Sequence, residues 1–139
     1  MINPDFEKNS LVLIKDDNVI FSSEKSGLRP LFECVIKFKG KESDCVLYDR
    51  IVGLAASRLI VYSGIISKVI TPVCSKPAHK LLKDKWIEIE SKKIVENILR
   101  MDKSDICPME KLALETKDNK EFWKKLHERM TITDKLMFI

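Results

Sequence analysis

A single α/β domain, with a largely parallel sheet entered through an antiparallel hairpin, is the fold this sequence predicts. Three observations carry the prediction. Two short aliphatic runs near the start are split by the turn-forming pair Asp16-Asp17. After them, β-branched runs alternate with amphipathic stretches of about ten residues, the pattern of crossover units. Finally, the stretch from Asp49 to Gly64 is apolar on nearly every face, which marks a helix covered on more than one side.

Each element follows from local chemistry. Ser10 to Lys15 and Asn18 to Ser23 form the hairpin, with Asn18 able to take up its turn. Lys25-Ser26-Gly27 is a loop, and Pro30 suits the first turn of a helix running to about Lys39, where a missing N–H costs nothing. Leu31, Phe32, Val35 and Ile36 give that helix its apolar face. Cys45 to Tyr48 is a buried strand, and the central helix follows directly, capped by Asp49 and ended by Gly64. Lys68 to Val73 is the next strand, Ser75-Lys76-Pro77 opens a short helix to about Leu82, and Trp86 to Glu90 alternates as a strand. Ile94 to Met101 reads as helical, Pro108 to Glu115 as a short helix, and Asp118-Asn119-Lys120-Glu121 as the capping box of a last one facing inward through Phe122, Trp123, Leu126 and Met130.

The 139 residues suffice for one core without staples. A formal charge of +4 comes from 25 basic and 21 acidic residues interleaved along the chain, a weak general attraction to anions that does not favour nucleic acid as a partner. Cys34, Cys45, Cys74 and Cys107 include no C-x-x-C pair, so neither a zinc ribbon nor a disulfide framework is expected. The first residues lack the regions of a signal peptide and no apolar run is long enough to cross a bilayer. The expected setting is cytoplasmic, with reduced thiols and no membrane partner.

Ligands of parallel sheets sit beyond the carboxyl ends of the strands. Three such junctions place a basic residue near a helix start, where the dipole disfavours a cation: Arg29, Arg50 and Lys76. They point to neighbouring anions, either local side chains or a bound phosphate or carboxylate. Gly53 interrupts the central helix, for close packing or for a ligand at its first turn. With Pro108 opening a helix, Cys107 falls at its N-cap, where free amides lower a thiol's pKa, and Glu110 is spaced to reach back to the cap. His79 and His127 have no partner at ligand spacing, and no P-loop, nucleophile elbow or dinucleotide fingerprint occurs, so neither a metal nor a cofactor is expected.

Ser26-Gly27-Leu28-Arg29-Pro30-Leu31, Asp49 through Ala56, Val61-Tyr62-Ser63-Gly64, Pro72-Val73, Pro77-Ala78 and Cys107 through Leu112 together resemble the prokaryotic family known as domain of unknown function 1893, over about Leu11 to Leu114. The segment from about 118 to 139 would be a helical extension of the single domain 1–139. The resemblance implies a cytidine-deaminase-like fold, a three-layer α/β/α arrangement with a five-stranded mixed sheet. In zinc deaminases the two helices at the site begin with a His or Cys ligand plus a Glu and with P-C-x-x-C. By chain order those places hold Gly27-Leu28-Arg29-Pro30 and Asp49 through Gly53, without a metal ligand set. The implied scaffold is therefore zinc-free, with nothing to generate hydroxide near neutral pH.

The leading expectation is a protein that binds a small anionic ligand or nucleotide through Arg29, Asp49, Arg50 and Gly53, with Glu110 and Cys107 beside them. Arg29 and Arg50 would neutralise the anion, Gly53 admit it, and Asp49 cap the helix or orient the ligand. One alternative is an enzyme or sulfur carrier with Cys107 as its catalytic nucleophile, by analogy with the zinc-less proteins of the wider deaminase superfamily that mature formate dehydrogenase. Another is an interaction module without catalysis. A homo-oligomer is compatible with the apolar tail Leu136-Met137-Phe138-Ile139.

Overall fold

The computed structural model describes residues 6, 8–99 and 108–137, and side chains as far as Met130. The elements run β1 (Leu11–Lys15), β2 (Asn18–Ser23), α1 (Arg29–Phe38), β3 (Cys45–Asp49), β4 (Ile51–Val52), α2 (Leu54–Ser63), β5 (Ile66–Ser75), α3 (Lys76–Asp84), β6 (Glu88–Val95), α4 (Pro108–Glu115) and α5 (Asn119–Met137). This is a mixed α/β architecture opened by a strand pair.

The hairpin turns on Asp16 and Asp17, both left-handed, with the Asn18 side chain donating to the Asp16 carbonyl at 3.0 Å. β1 pairs antiparallel with β2 and with β3, whereas β3, β4 and β6 all pair parallel with β5. The six described strands therefore occupy five lanes, because β3 and β4 lie along one side of β5 and β6 along the other. The ladder to β3 ends at Ile70 and that to β4 resumes at Val73. Pro72, lacking an N–H, falls in the interruption and leaves no donor unmet.

Alternation along the strands separates the two faces. Leu11, Leu13, Leu47 and Val69 join residues from all five helices in the main core. Val12, Ile14 and Tyr48, with Val46, Ile70 and Phe6, form a second cluster to which no described helical residue contributes. Among the described residues, then, the helices gather on one face of the sheet, and the second helical layer of the expected three-layer arrangement has no member.

α2 is the buried centre, touching each of the other four helices. Its hydroxyls turn inward without loss, since Ser57 and Ser63 donate to the carbonyls of Leu54 and Ile60 at 2.8 and 2.6 Å. Gly64 closes it in the left-handed conformation expected of a C-cap. The start differs from the expectation: Asp49 ends β3, Ile51–Val52 forms β4, and Gly53 is the N-cap. Pairing with β5 extends the strand through residues that a purely helical reading assigns to α2.

Both boundaries of β6 move as well, its end for the same reason. Ile94 and Val95, expected to begin a helix, end β6 opposite Cys74 and Ser75. Trp86, expected to open that strand, takes a left-handed turn and is 94% exposed. α3 and α4 begin where their prolines place them, and Asp118 accepts from the Glu121 amide at 2.7 Å as its capping role requires.

Candidate functional site

The first turn of α2 has exposed amides by construction, since no residue precedes it in helical geometry to accept from them. Here those amides are met from a distant element. Leu54 and Ala55 donate to Oε2 and Oε1 of Glu110 at 2.7 and 2.9 Å. Glu110 stands in the first turn of α4, 56 residues from Leu54 in sequence, and is 7% exposed. Its negative charge lies at the positive end of the α2 dipole, the arrangement an anion seeks.

Gly53 makes this approach feasible. A Cβ at that position would stand 2.5 Å from Glu110 Oε1 and 2.7 Å from Ile98 Cγ1. Its φ of −100° is open to any residue, so space rather than backbone freedom selects glycine. Burial raises the Glu110 pKa above the ordinary carboxyl value, and the two amide bonds pull it back only in part. The group is an acid held in a dry, electropositive socket.

Asp49 is the second unusual acid. Half-buried at the end of β3, it is pushed up to about 7 by burial, against the opposing pull of the Ile51 and Arg50 amides and the Arg50 charge. It does not cap α2, which starts five residues later.

The basic residues face elsewhere. Arg50 is exposed, and its guanidinium donates to the carbonyls of Phe6 and, at 3.3 Å, Asn9, tying the N-terminal segment to the sheet edge. Arg29 donates to Met130 Sδ at 3.3 Å and lies 4.0 Å from Glu33 Oε1. Lys76 pairs with Glu96. α1 and α2 nevertheless begin at the same edge of the sheet, since Leu11 pairs with both Ser23 at the end of β2 and Asp49 at the end of β3. Of the expected site residues the fold joins Gly53 to Glu110, leaves Asp49, Arg29 and Arg50 around that edge, and Cys107 lies outside the described residues.

Sequence reasoning missed two features. Glu110 was expected to serve its own helix, yet it serves α2; the glycine at position 53 was the available signal that something approaches closely there. Arg58, not singled out at all, donates from Nη2 to the Thr116 carbonyl at 2.6 Å and from Nη1 to Asn119 Oδ1 at 3.3 Å, while its buried Nε finds no partner among the described residues. Burial lowers its pKa, offset by Asp118. Among the described residues no group of three or more His, Cys, Asp or Glu side chains is placed to hold a metal. No described helix is long and apolar enough to cross a membrane. Two grooves of about 290 and 230 Å³ lie on the sheet face away from the helices, meeting at Ile70 and Glu90.

Known proteins place the chain. A DUF1893 family protein (TM1506) from Thermotoga maritima, solved as a crystal structure, superposes with a TM-score of 0.80 at 29% identity, over 89% of this chain and 84% of that one. A search of the curated proteins finds no match. The profile described as a domain of unknown function, DUF1893, matches residues 5–130 and so reaches well into α5. The chain therefore belongs to the DUF1893 family.

Proposed function

We propose that this protein is a zinc-free receptor for a small anion, a carboxylate, phosphate or nucleotide, on a scaffold like that of the cytidine deaminases. Strand lanes in the order β2, β1, β3 with β4, β5, β6, β1 alone running against the rest, support the scaffold. The observation that carries the function is the buried Glu110 carboxylate on the Leu54 and Ala55 amides, admitted by Gly53. It marks the start of α2 as a place where an anion is bound, and Glu110 acts as the resident competitor. An incoming anion takes the amides as Glu110 withdraws, protonated or swung aside with α4, while Arg29 and Arg50, whose guanidinium groups are engaged elsewhere, act on it only at long range. Hydrogen bonds to a charged group contribute about 1.5–3 kcal/mol each, which is what a ligand has to replace.

Calorimetric titration with inorganic phosphate, acetate and nucleoside monophosphates tests the reading on wild type and on Glu110→Ala. Removing the competitor is expected to tighten anion binding about tenfold or more, and the anion to raise the melting temperature of Glu110→Ala more than that of wild type. Absence of binding to both proteins at millimolar anion would reduce the Glu110 contact to a structural tie, the behaviour of an interaction module.

A second reading, with Cys107 as a nucleophile, is favoured by the state of the other thiols. Cys34, Cys45 and Cys74 are free and buried. Burial, with Cys45 and Asp49 nearby, pushes Cys34 up to about 12; burial alone takes Cys74 to about 11 and, chiefly, raises Cys45. These shifts count against the three buried thiols and leave Cys107 as the candidate nucleophile of this reading. Alkylation of the native protein followed against pH is expected to modify Cys107 first, with an apparent pKa below the ordinary value of about 8.5. An ordinary value there removes the reading.

A further inference from the structure

Among the described residues the edge strands of the sheet are β2 and β6, and they differ in charge. β2 carries no ionisable side chain, whereas β6 reads Glu88-Ile89-Glu90-Ser91-Lys92-Lys93-Ile94-Val95, acidic in its first half and basic in its second. One side of β6 pairs with β5, and among the described residues no other strand pairs with it. Glu88, Glu90, Lys92 and Lys93 are all exposed, as is Ile94 at 47%.

We propose that β6 is a homodimer interface at which a second copy of this chain adds its own β6 antiparallel, joining two five-lane sheets into one. The charge order selects both partner and register. In a two-fold antiparallel pair, residues equidistant from the centre stand opposite on the same face, about 4.5–5.5 Å apart at Cβ. Centred on Ser91, the pairing sets Glu90 against the second copy's Lys92, Ile89 against its Lys93, and Glu88 against its Ile94. Every neighbouring centre opposes like charges: Ile89 brings Glu88 onto Glu90, and Glu90, Lys92 or Lys93 at the centre meets itself. A parallel second strand in register would oppose like charges at every ionised position. The antiparallel arrangement also closes at two copies and leaves no further edge of this kind.

Lysine on an edge strand ordinarily repels a second strand, because an arbitrary partner offers it no anion. Here Glu90, two residues before Lys92, supplies that anion from the second copy. Lys68 already holds Glu90 Oε1 at 3.1 Å and Glu88 Oε2 at 3.4 Å from within the chain, which fixes both acids on the face where Lys92 arrives.

Sedimentation equilibrium across about a hundredfold range of concentration tests the proposal. Wild type is expected to move from one chain to two. Lys92→Glu with Lys93→Glu turns the register all-acidic and is expected to stay monomeric; adding Glu88→Lys and Glu90→Lys swaps the halves and is expected to restore the dimer. Far-UV circular dichroism establishes that each variant is folded. If the reversed variant is not, Lys92→Ala with Lys93→Ala takes its place and is expected to weaken association about tenfold. Three results would overturn the proposal: wild type monomeric at the highest concentration, a dimer indifferent to the lysine substitutions, or a charge swap that fails to restore it.

Discussion

Gly53 and Glu110 depend on each other, and the geometry assigns a direction to each substitution. Gly53→Ala forces a methyl group to within 2.5 Å of Glu110 Oε1, so it is expected to lose about 1–3 kcal/mol, the usual cost of overpacking. The same substitution made in Glu110→Ala is expected to cost less, since most of the obstruction has gone. Denaturant unfolding of the four proteins measures the coupling, and strict additivity would show that Gly53 is not there for Glu110. Asp49 gives the pH dependence. Its folded-state pKa of about 7 exceeds the ordinary 3.8, so the folded protein holds the proton more tightly than the unfolded chain. That stability is fully present below the ordinary value and lost as pH rises through about 7. Asp49→Asn, which never ionises, is therefore expected to gain in melting temperature relative to wild type as pH rises from about 4 to about 7, and to keep that advantage above it. A difference independent of pH would place the carboxyl in water.

At the scale of elements, the helices depend on a few long polar ties laid over apolar packing. Phe122 and Leu126 of α5 are fully buried, and Trp123 stacks on Tyr62 of α2 with ring centroids 5.1 Å apart. Arg58 of α2 adds direction, holding the Thr116 carbonyl after α4 and the Asn119 side chain at the start of α5. Arg58→Ala leaves a buried carbonyl without its donor and is expected to cost about 1–3 kcal/mol. Its signature in hydrogen exchange is faster opening of α4 and α5, with the β1–β3–β5 amides unchanged. Uniform loss of protection would mean that these helices do not open separately. The start of α2 belongs to this scale as well. A short strand and a helix compete for residues 49–53, and parallel pairing of Ile51 and Val52 with Val73 and Cys74 decides for the strand. Lateral pairing likewise claims Ile94 and Val95, whose β-branched side chains suit either edge pairing or a short helix.

Across the whole molecule, the order of elements was legible in the chain because each signal was local. The Asp16-Asp17 turn, Pro30, Pro77 and Pro108 at helix starts, Gly64 at a helix end and Asp118 as a cap all act within four residues of their effect. The apolar periodicity of the stretch ending at Gly64 correctly announced a helix buried by several neighbours. The alternation in β1 could show that both faces are apolar, Leu11 and Leu13 against Val12 and Ile14, yet not that the described helices crowd onto one of them. The candidate site was half legible. Gly53 and Glu110 were each marked, for separate reasons, but their meeting spans more than fifty residues and leaves no periodic trace. Local backbone preference and hydrophobic spacing, which any segment carries by itself, determined the elements and their sequence. Tertiary structure alone decided which anion stands on the first turn of α2, because only packing brings α4 across to it, and burial then gives that carboxyl its raised pKa.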